Sequence, residues 1–280
     1  MTDLAPMPSP AELKQTVFEA LVDKAALPVR AMVWLGMLAG VYIGFGGLFA
    51  TIALSGTQGL PYGAGQVLAG LVFATGLGLV MIAGAELFTG NTMMTGAMLA
   101  GQIAPAQAAK ALVVVYAANF AGSLLLALLV FAAGLHDSHN GAVGRAAVDL
   151  ARGKTEAGFL ATLASGILAN MLVCLAVWCA YAGETVTQKL AGLILPVAAF
   201  VAAGLEHSVA NMYLLPYGWL VQPVASPAES AITAVAILGN LVPATIGNIV
   251  GGALIAMAYF AAFAKSGAES GAPAISKGQN

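Results

Sequence analysis

The sequence predicts an all-α integral membrane protein, with six transmembrane helices in an inverted 3+3 repeat and two of those helices broken. Three observations predict it. Hydrophobic residues make up 60% of the 280-residue chain and charged residues 8%, with a mean hydropathy of +0.91, whereas soluble domains carry roughly 25% charged residues. Apolar stretches of about 20 residues, long enough to cross a bilayer, recur six times. Two of these stretches are interrupted by related segments, each with a glutamate at membrane depth. The 34 glycines suit helices that pack closely through small residues in lipid.

Residues 1–29 begin polar, and then Leu13, Val17, Ala20, Leu21 and Leu27 recur at helical spacing. This predicts a cytoplasmic helix lying along the membrane face or on a neighbouring subunit. No basic region leads directly into an apolar run with a cleavage site, so the segment does not read as a signal peptide. The spans follow at 31–54, after Arg30, and from Ala64 to Ala83, with Glu86 interrupting. Two more lie at 111–134 and 158–183. The fifth starts at Leu190 and is interrupted by Glu206; the sixth covers 231–264, with Pro243 as an expected kink. Residues 30–264 therefore form one transmembrane domain, its repeat halves about 30–134 and 158–264. The Gly/Ser/Ala-rich stretch 265–280 reads as a flexible cytoplasmic tail.

Basic residues give the orientation. Lys14, Lys24, Arg30, Lys110, Lys189, Lys265 and Lys277 fall on the side of the termini; Arg145, Arg152 and Lys154 fall opposite, in the longest loop. This bias places both termini in the cytoplasm of a multi-pass protein of the inner (plasma) membrane. A net charge of −2 and a pI near 5.9 give no surface for nucleic acid. Cys174 and Cys179, five positions apart, point about 140° apart on a helix and read as packing residues. No metal or cofactor is expected.

The interruptions are related to each other. Residues 83–93 read AGAELFTGNTM and residues 203–213 read AGLEHSVANMY, so Glu86 aligns with Glu206 and Asn91 with Asn211 at an offset of 120. Asn119, Gly122 and Phe131-Ala-Ala match Asn248, Gly251 and Phe260-Ala-Ala at an offset of 129. Two three-crossing halves run in opposite directions, and matching interrupted segments in such halves point to a transport site. A broken helix frees backbone groups that lipid cannot satisfy. Asn91, Asn211, Thr89 and Ser208 are the expected partners of that backbone, and Glu86 and Glu206 are expected chiefly to anchor the breaks by bonding freed N–H groups. The half-helix N-termini would present partial positive charge to the midplane, which favours an anion. His207 aligns with Leu87 and is not duplicated. With an unperturbed pKa of about 6.5 it can exchange a proton near neutrality, so the chemistry is placed there.

The runs AELFTGNTMMTG (85–96), LEHSVANMYLLPYG (205–218) and GNLVPATIGNIVGG (239–252) resemble the signature motifs of the formate/nitrite transporter family. The resemblance covers nearly the whole chain and is nearest to formate channels. It implies an aquaporin-like fold, a homopentamer with one pore per protomer, and passage of formate, nitrite or hydrosulfide. Carried over by position, His207 is the central histidine and Glu206 the carboxylate beside it. One constriction would be formed by Phe73, Leu77 and Leu87 with Phe88 and Thr89, and the other by Phe200. Asn170 would lie near the pore centre and Lys154 at the outer mouth.

Proton supply has a physical motive. An acid of pKa about 4 is roughly 0.1% neutral at pH 7, and a bare anion passing an apolar constriction meets a large desolvation penalty. The expected partners are thus a small weak-acid anion and protons, with membrane lipid and further copies of the chain. No enzyme activity is expected. Ser208 and His207 are adjacent and do not face each other on a helix, and no GxSxG elbow accompanies them. A water or glycerol facilitator would carry paired NPA motifs, which are absent from the sequence.

Overall fold

The structure, a computed structural model, describes residues 7–57, 59–226 and 231–264. The predicted tail at 265–280, with Lys265 and Lys277, lies outside the described residues. Among those described, the regular structure is entirely helical. Helix α1 (Pro10–Ala26) precedes α2 (Val29–Ser55) and α3 (Tyr62–Ala83). After a break come the short α4 (Phe88–Asn91) and α5 (Met94–Leu99), then α6 (Pro105–Ala132). A 3-10 turn (Leu135–Asp137) leads to α7 (Ala142–Thr155), α8 (Phe159–Tyr181) and α9 (Val186–Ala202). A second break separates α9 from α10 (Ser208–Ala225), and α11 (Ala234–Ala262) follows.

Helices α2, α3, α6, α8 and α11 are each long and apolar enough to cross a membrane. Helix α9 has 17 residues, about 26 Å at the helical rise, and falls short of a hydrocarbon core about 30 Å thick. Its chain breaks at Ala203, in the segment the sequence reads as interrupted. Pro243, the expected kink, lies inside the continuous α11.

The two halves pack alike. Helix α2 lies against α3 and α6, α8 lies against α9 and α11, and α3 against α9 joins the halves. Small residues permit the close approach: a Cβ on Gly122 would strike the Met37 carbonyl, and one on the aligned Gly251 would strike the Ile167 carbonyl.

Helix α1 starts with a capping box in which Ser9 N–H donates to Glu12 Oε2 at 2.8 Å and Glu12 N–H donates to Ser9 Oγ at 3.4 Å. It buries Val17, Phe18, Leu21 and Ala25, and the Phe18 ring fills the space left by the missing side chain of Gly96. The stretch read as the longest loop contains a helix instead. Helix α7 buries Val143, Ala147, Val148 and Ala151 and packs along α10. Its apolar face is made of small residues and it carries Arg145, Asp149, Arg152 and Lys154 within fourteen positions, so by composition alone it reads as a polar connection.

Candidate functional site

Each break opens with a left-handed glycine, Gly84 at φ 74° and Gly204 at φ 66°, a backbone region that only glycine enters freely. Each then closes the preceding helix by a bond that skips back five residues, Ala85 N–H to the Val80 carbonyl at 3.0 Å and Leu205 N–H to the Phe200 carbonyl at 3.1 Å. The backbone freed beyond this point is held from a neighbouring helix. Asn119 Oδ1 accepts from Phe88 N–H at 2.9 Å, while its Nδ2 donates to the Gly36 and Glu86 carbonyls at 2.8 and 2.9 Å. Asn248 Oδ1 accepts from Ser208 N–H at 2.8 Å, while its Nδ2 donates to the Gly166 and Glu206 carbonyls at 2.8 and 2.9 Å. One carboxamide, offering a donor and an acceptor together, therefore bridges each break, while Glu86 N–H donates to the Leu35 carbonyl at 3.2 Å and Glu206 N–H to Ser165 Oγ at 3.0 Å.

The glutamates do something else. Glu86 accepts from Lys24 Nζ at 2.6 Å and from Asn91 Nδ2 at 2.9 Å. Glu206 accepts from Lys154 Nζ at 3.1 Å, from Asn211 Nδ2 and from Asn240 Nδ2 at 3.2 Å. The expectation that these carboxylates bond freed backbone N–H groups is corrected, because the asparagines already occupy that backbone. Asn91 and Asn211 are likewise partners of the carboxylates, not of the backbone. Lys24 comes from α1 and Lys154 from α7, so the correspondence of the halves extends to these two flanking helices.

Two cavities flank the breaks. One, of about 80 Å³, is lined by Phe73, Lys154, Phe200, His207 and Asn211, with Leu54 and Gln66 at its rim. The other, of about 30 Å³, is lined by Lys24, Leu87, Asn91 and Tyr181. Helix α3 contributes Gln66 and Phe73 to the first and Val80 and Met81 to the second, which sets the midpoints of the two pairs about 16 Å apart along its axis. Between them Thr89 Oγ1 meets His207 Nε2 at 2.9 Å, and both residues are fully enclosed by protein.

His207 is the N-cap of α10. Its Nδ1 accepts from Ala210 N–H at 3.0 Å, which assigns the neutral ring as the Nε2–H tautomer donating to Thr89. The equivalent N-cap of α4, Leu87, offers no side-chain bond. Asn170 Nδ2 donates to the Thr89 carbonyl at 3.1 Å and to Thr92 Oγ1 at 2.9 Å, bracing the segment that carries Thr89. Its Oδ1 is buried without a partner.

The sequence model of the formate/nitrite transporter family matches residues 11–262. The chain belongs to that family. Among its relatives, the formate channel FocA of Escherichia coli (strain K12) is 37% identical over 258 residues, covering 88% of this chain and 90% of that protein. The formate channel BtFdhC of Bacillus thuringiensis is 35% identical over 259 residues, covering 91% and 96%. A solved structure described as a pentameric formate channel with formate bound superposes with a TM-score of 0.76 at 32% identity, covering 84% of this chain and 97% of that one.

The aromatic residues taken from the family pattern are grouped differently than expected. Phe73 and Phe200, assigned to opposite constrictions, meet edge to face at 5.5 Å, with Phe200 5.7 Å from the His207 ring. Both belong to the cavity on the α7 side, because α3 and α9 are packed together along their length. Leu87 faces the cavity on the α1 side. Leu77 is buried but lines neither cavity, and Phe88 packs on Tyr116 at 4.8 Å. Sequence reasoning missed Lys24, Asn119, Asn240 and Asn248 as site residues. The offset of 129 did align the two asparagines, and their polarity within apolar spans was the available signal.

Proposed function

We propose that this family member is a membrane channel for a small monovalent weak-acid anion, formate first, with nitrite and hydrosulfide as rivals of the same chemistry. Each protomer of a homopentamer carries one pore, formed by six crossings with both termini on the cytoplasmic side of the inner membrane. The observation that carries this reading is the Thr89–His207 contact of 2.9 Å, standing between two cavities that each contain a lysine. The named formate channels among the relatives, and the formate-bound pentamer among the solved structures, support the choice of anion and assembly.

Lys154 and Lys24 draw an anion into either cavity, their charges tempered by Glu206 and Glu86. The edge-to-face pair of Phe73 and Phe200 then confronts the anion with apolar surface, where a bare charge is poorly solvated. Protonating an acid of pKa about 4 at pH 7 costs about 4 kcal/mol, less than full desolvation of the anion. His207 relays that proton. The ring can give up Nε2–H through the Thr89 hydroxyl only from the imidazolium form. Forming imidazolium places a hydrogen on Nδ1 and breaks its bond to Ala210 N–H. The cap therefore holds the resting ring neutral, and an anion in the cavity offsets the charge when the ring is protonated. Once the acid leaves, the ring is the Nδ1–H tautomer. Uptake of a proton from water at Nε2 and loss of the one on Nδ1 return it to the resting Nε2–H form and restore the cap, for one proton consumed per acid released.

The test is flux of formate, nitrite and hydrosulfide into proteoliposomes holding the purified protein, across a range of pH. Formate crossing fastest, and faster at lower pH, is the expected result; much faster nitrite would displace formate as the substrate.

A further inference from the structure

The vestibule on the α7 side has two chambers. The inner one, of about 80 Å³, holds His207 and Lys154; the outer one, of about 420 Å³, is lined by Ser55, Arg145 and Asp149 among others. Leu54, Gln66 and Leu150 line both, so these three residues form the neck between the chambers. Two of them are apolar. Gln66, on the second turn of α3, is half-buried, and its carboxamide has no hydrogen-bond partner among the described residues. Its amide atoms are not buried, so they reach the solvent of the vestibule, where water or a permeating solute can meet them.

The charges on either side of the neck are balanced. Arg145 and Asp149 line the same outer chamber, and Lys154, which lines the inner one, is engaged at 3.1 Å by Glu206 from behind that lining. An anion leaving the outer chamber therefore meets two leucines and one amide. The Gln66 NH₂ supplies donors to a carboxylate or nitrite oxygen, and its Oε1 accepts from the O–H of the neutral acid. One side chain serves both protonation states.

We propose that Gln66 is an anion-binding residue, the hydrogen-bond donor that carries the anion across the neck of the outer vestibule. The inference rests on the channel reading above. Its test is formate uptake against concentration at pH 7 in proteoliposomes of wild type, Gln66→Leu and Gln66→Glu. Losing one hydrogen bond in Gln66→Leu raises the half-saturation concentration about fivefold. Gln66→Glu keeps the shape but repels an anion, raising it about tenfold or more. Maximal rates stay within about twofold, as expected when a binding contact rather than the slow step is changed. Equal half-saturation in all three proteins overturns the inference, as does an equal rise in both variants, which would mark a space-filling role. Should Gln66→Leu fail to fold, Gln66→Met, of similar length and without a donor, takes its place with the same expected rise. Wild-type vesicles that carry no formate would refute the channel reading; wild-type flux with indifferent variants refutes only the role of Gln66.

Discussion

The break at 83–93 and the break at 203–213 share almost everything except the residue at the head of the half-helix. Both turn on a left-handed glycine, both hand their freed backbone to an asparagine from a neighbouring span, and both aim a glutamate at a lysine from a flanking amphipathic helix. The head of α4 is Leu87, which only packs; the head of α10 is His207, which caps its helix and reaches Thr89 across the repeat. The duplicated residues maintain an unusual backbone buried among apolar helices. The unduplicated one is free to carry chemistry. A second difference concerns the ion pairs: Glu206 has three side-chain partners where Glu86 has two, and Lys154 is more enclosed than Lys24, with side-chain exposures of 15% and 25%.

The largest effect is expected from the asparagines. Asn248→Leu strands one N–H and two carbonyls, each worth about 1–3 kcal/mol when buried and unpaired. Thermal unfolding in detergent should show a loss of about 3 kcal/mol or more, with Asn119→Leu losing about as much. Tolerance of one substitution and not the other would break the equivalence of the halves. Next come the glutamates. Removing one partner of a buried ion pair costs about 3–5 kcal/mol, less where the lysine keeps contact with water. Glu206→Gln should therefore lower the melting temperature more than Glu86→Gln, and the reverse order would contradict the burial argument.

The sequence made five of the long apolar helices and the two breaks legible because a glutamate in an apolar run is costly and because length in lipid is fixed by thickness. It also exposed the repeat, since Glu86/Glu206 and Asn91/Asn211 stand out among small apolar residues. What it did not expose were the partners. Lys24 and Glu86 are 62 positions apart, and Asn248 reaches Ser208 across 40; such pairs are set by how helices pack, which local periodicity does not encode. Helix α7 was hidden for a different reason. Four charged residues fall within its fourteen positions and lower its overall hydropathy, while contact with α10 is what buries Val143, Ala147, Val148 and Ala151. Phe73 and Phe200 were separated because sequence order placed them in different halves, while α3 and α9 lie side by side.

Smaller effects separate the two duties of His207. Thr89→Val keeps the side-chain shape but removes the Nε2 partner. It should cost about 1 kcal/mol of stability and slow formate flux severalfold; unchanged flux would exclude the hydroxyl from the path. His207→Phe removes the cap of α10 at about 1 kcal/mol, whereas His207→Asn retains a good capping side chain and should be nearly neutral in the melt. If the asparagine variant unfolded as readily as the phenylalanine one, capping would not explain the stability of the second break.

Because His207→Asn preserves the cap while removing the titratable ring, it also provides the most direct test of the central claim. Formate flux into proteoliposomes, followed together with internal pH across external values from acid to neutral, should show wild-type uptake that rises on acidification and moves protons with formate. His207→Asn should leave a slower anion flux with neither the rise nor the accompanying proton movement. A variant that kept the wild-type pH profile and proton movement would contradict the relay and transfer proton delivery to water.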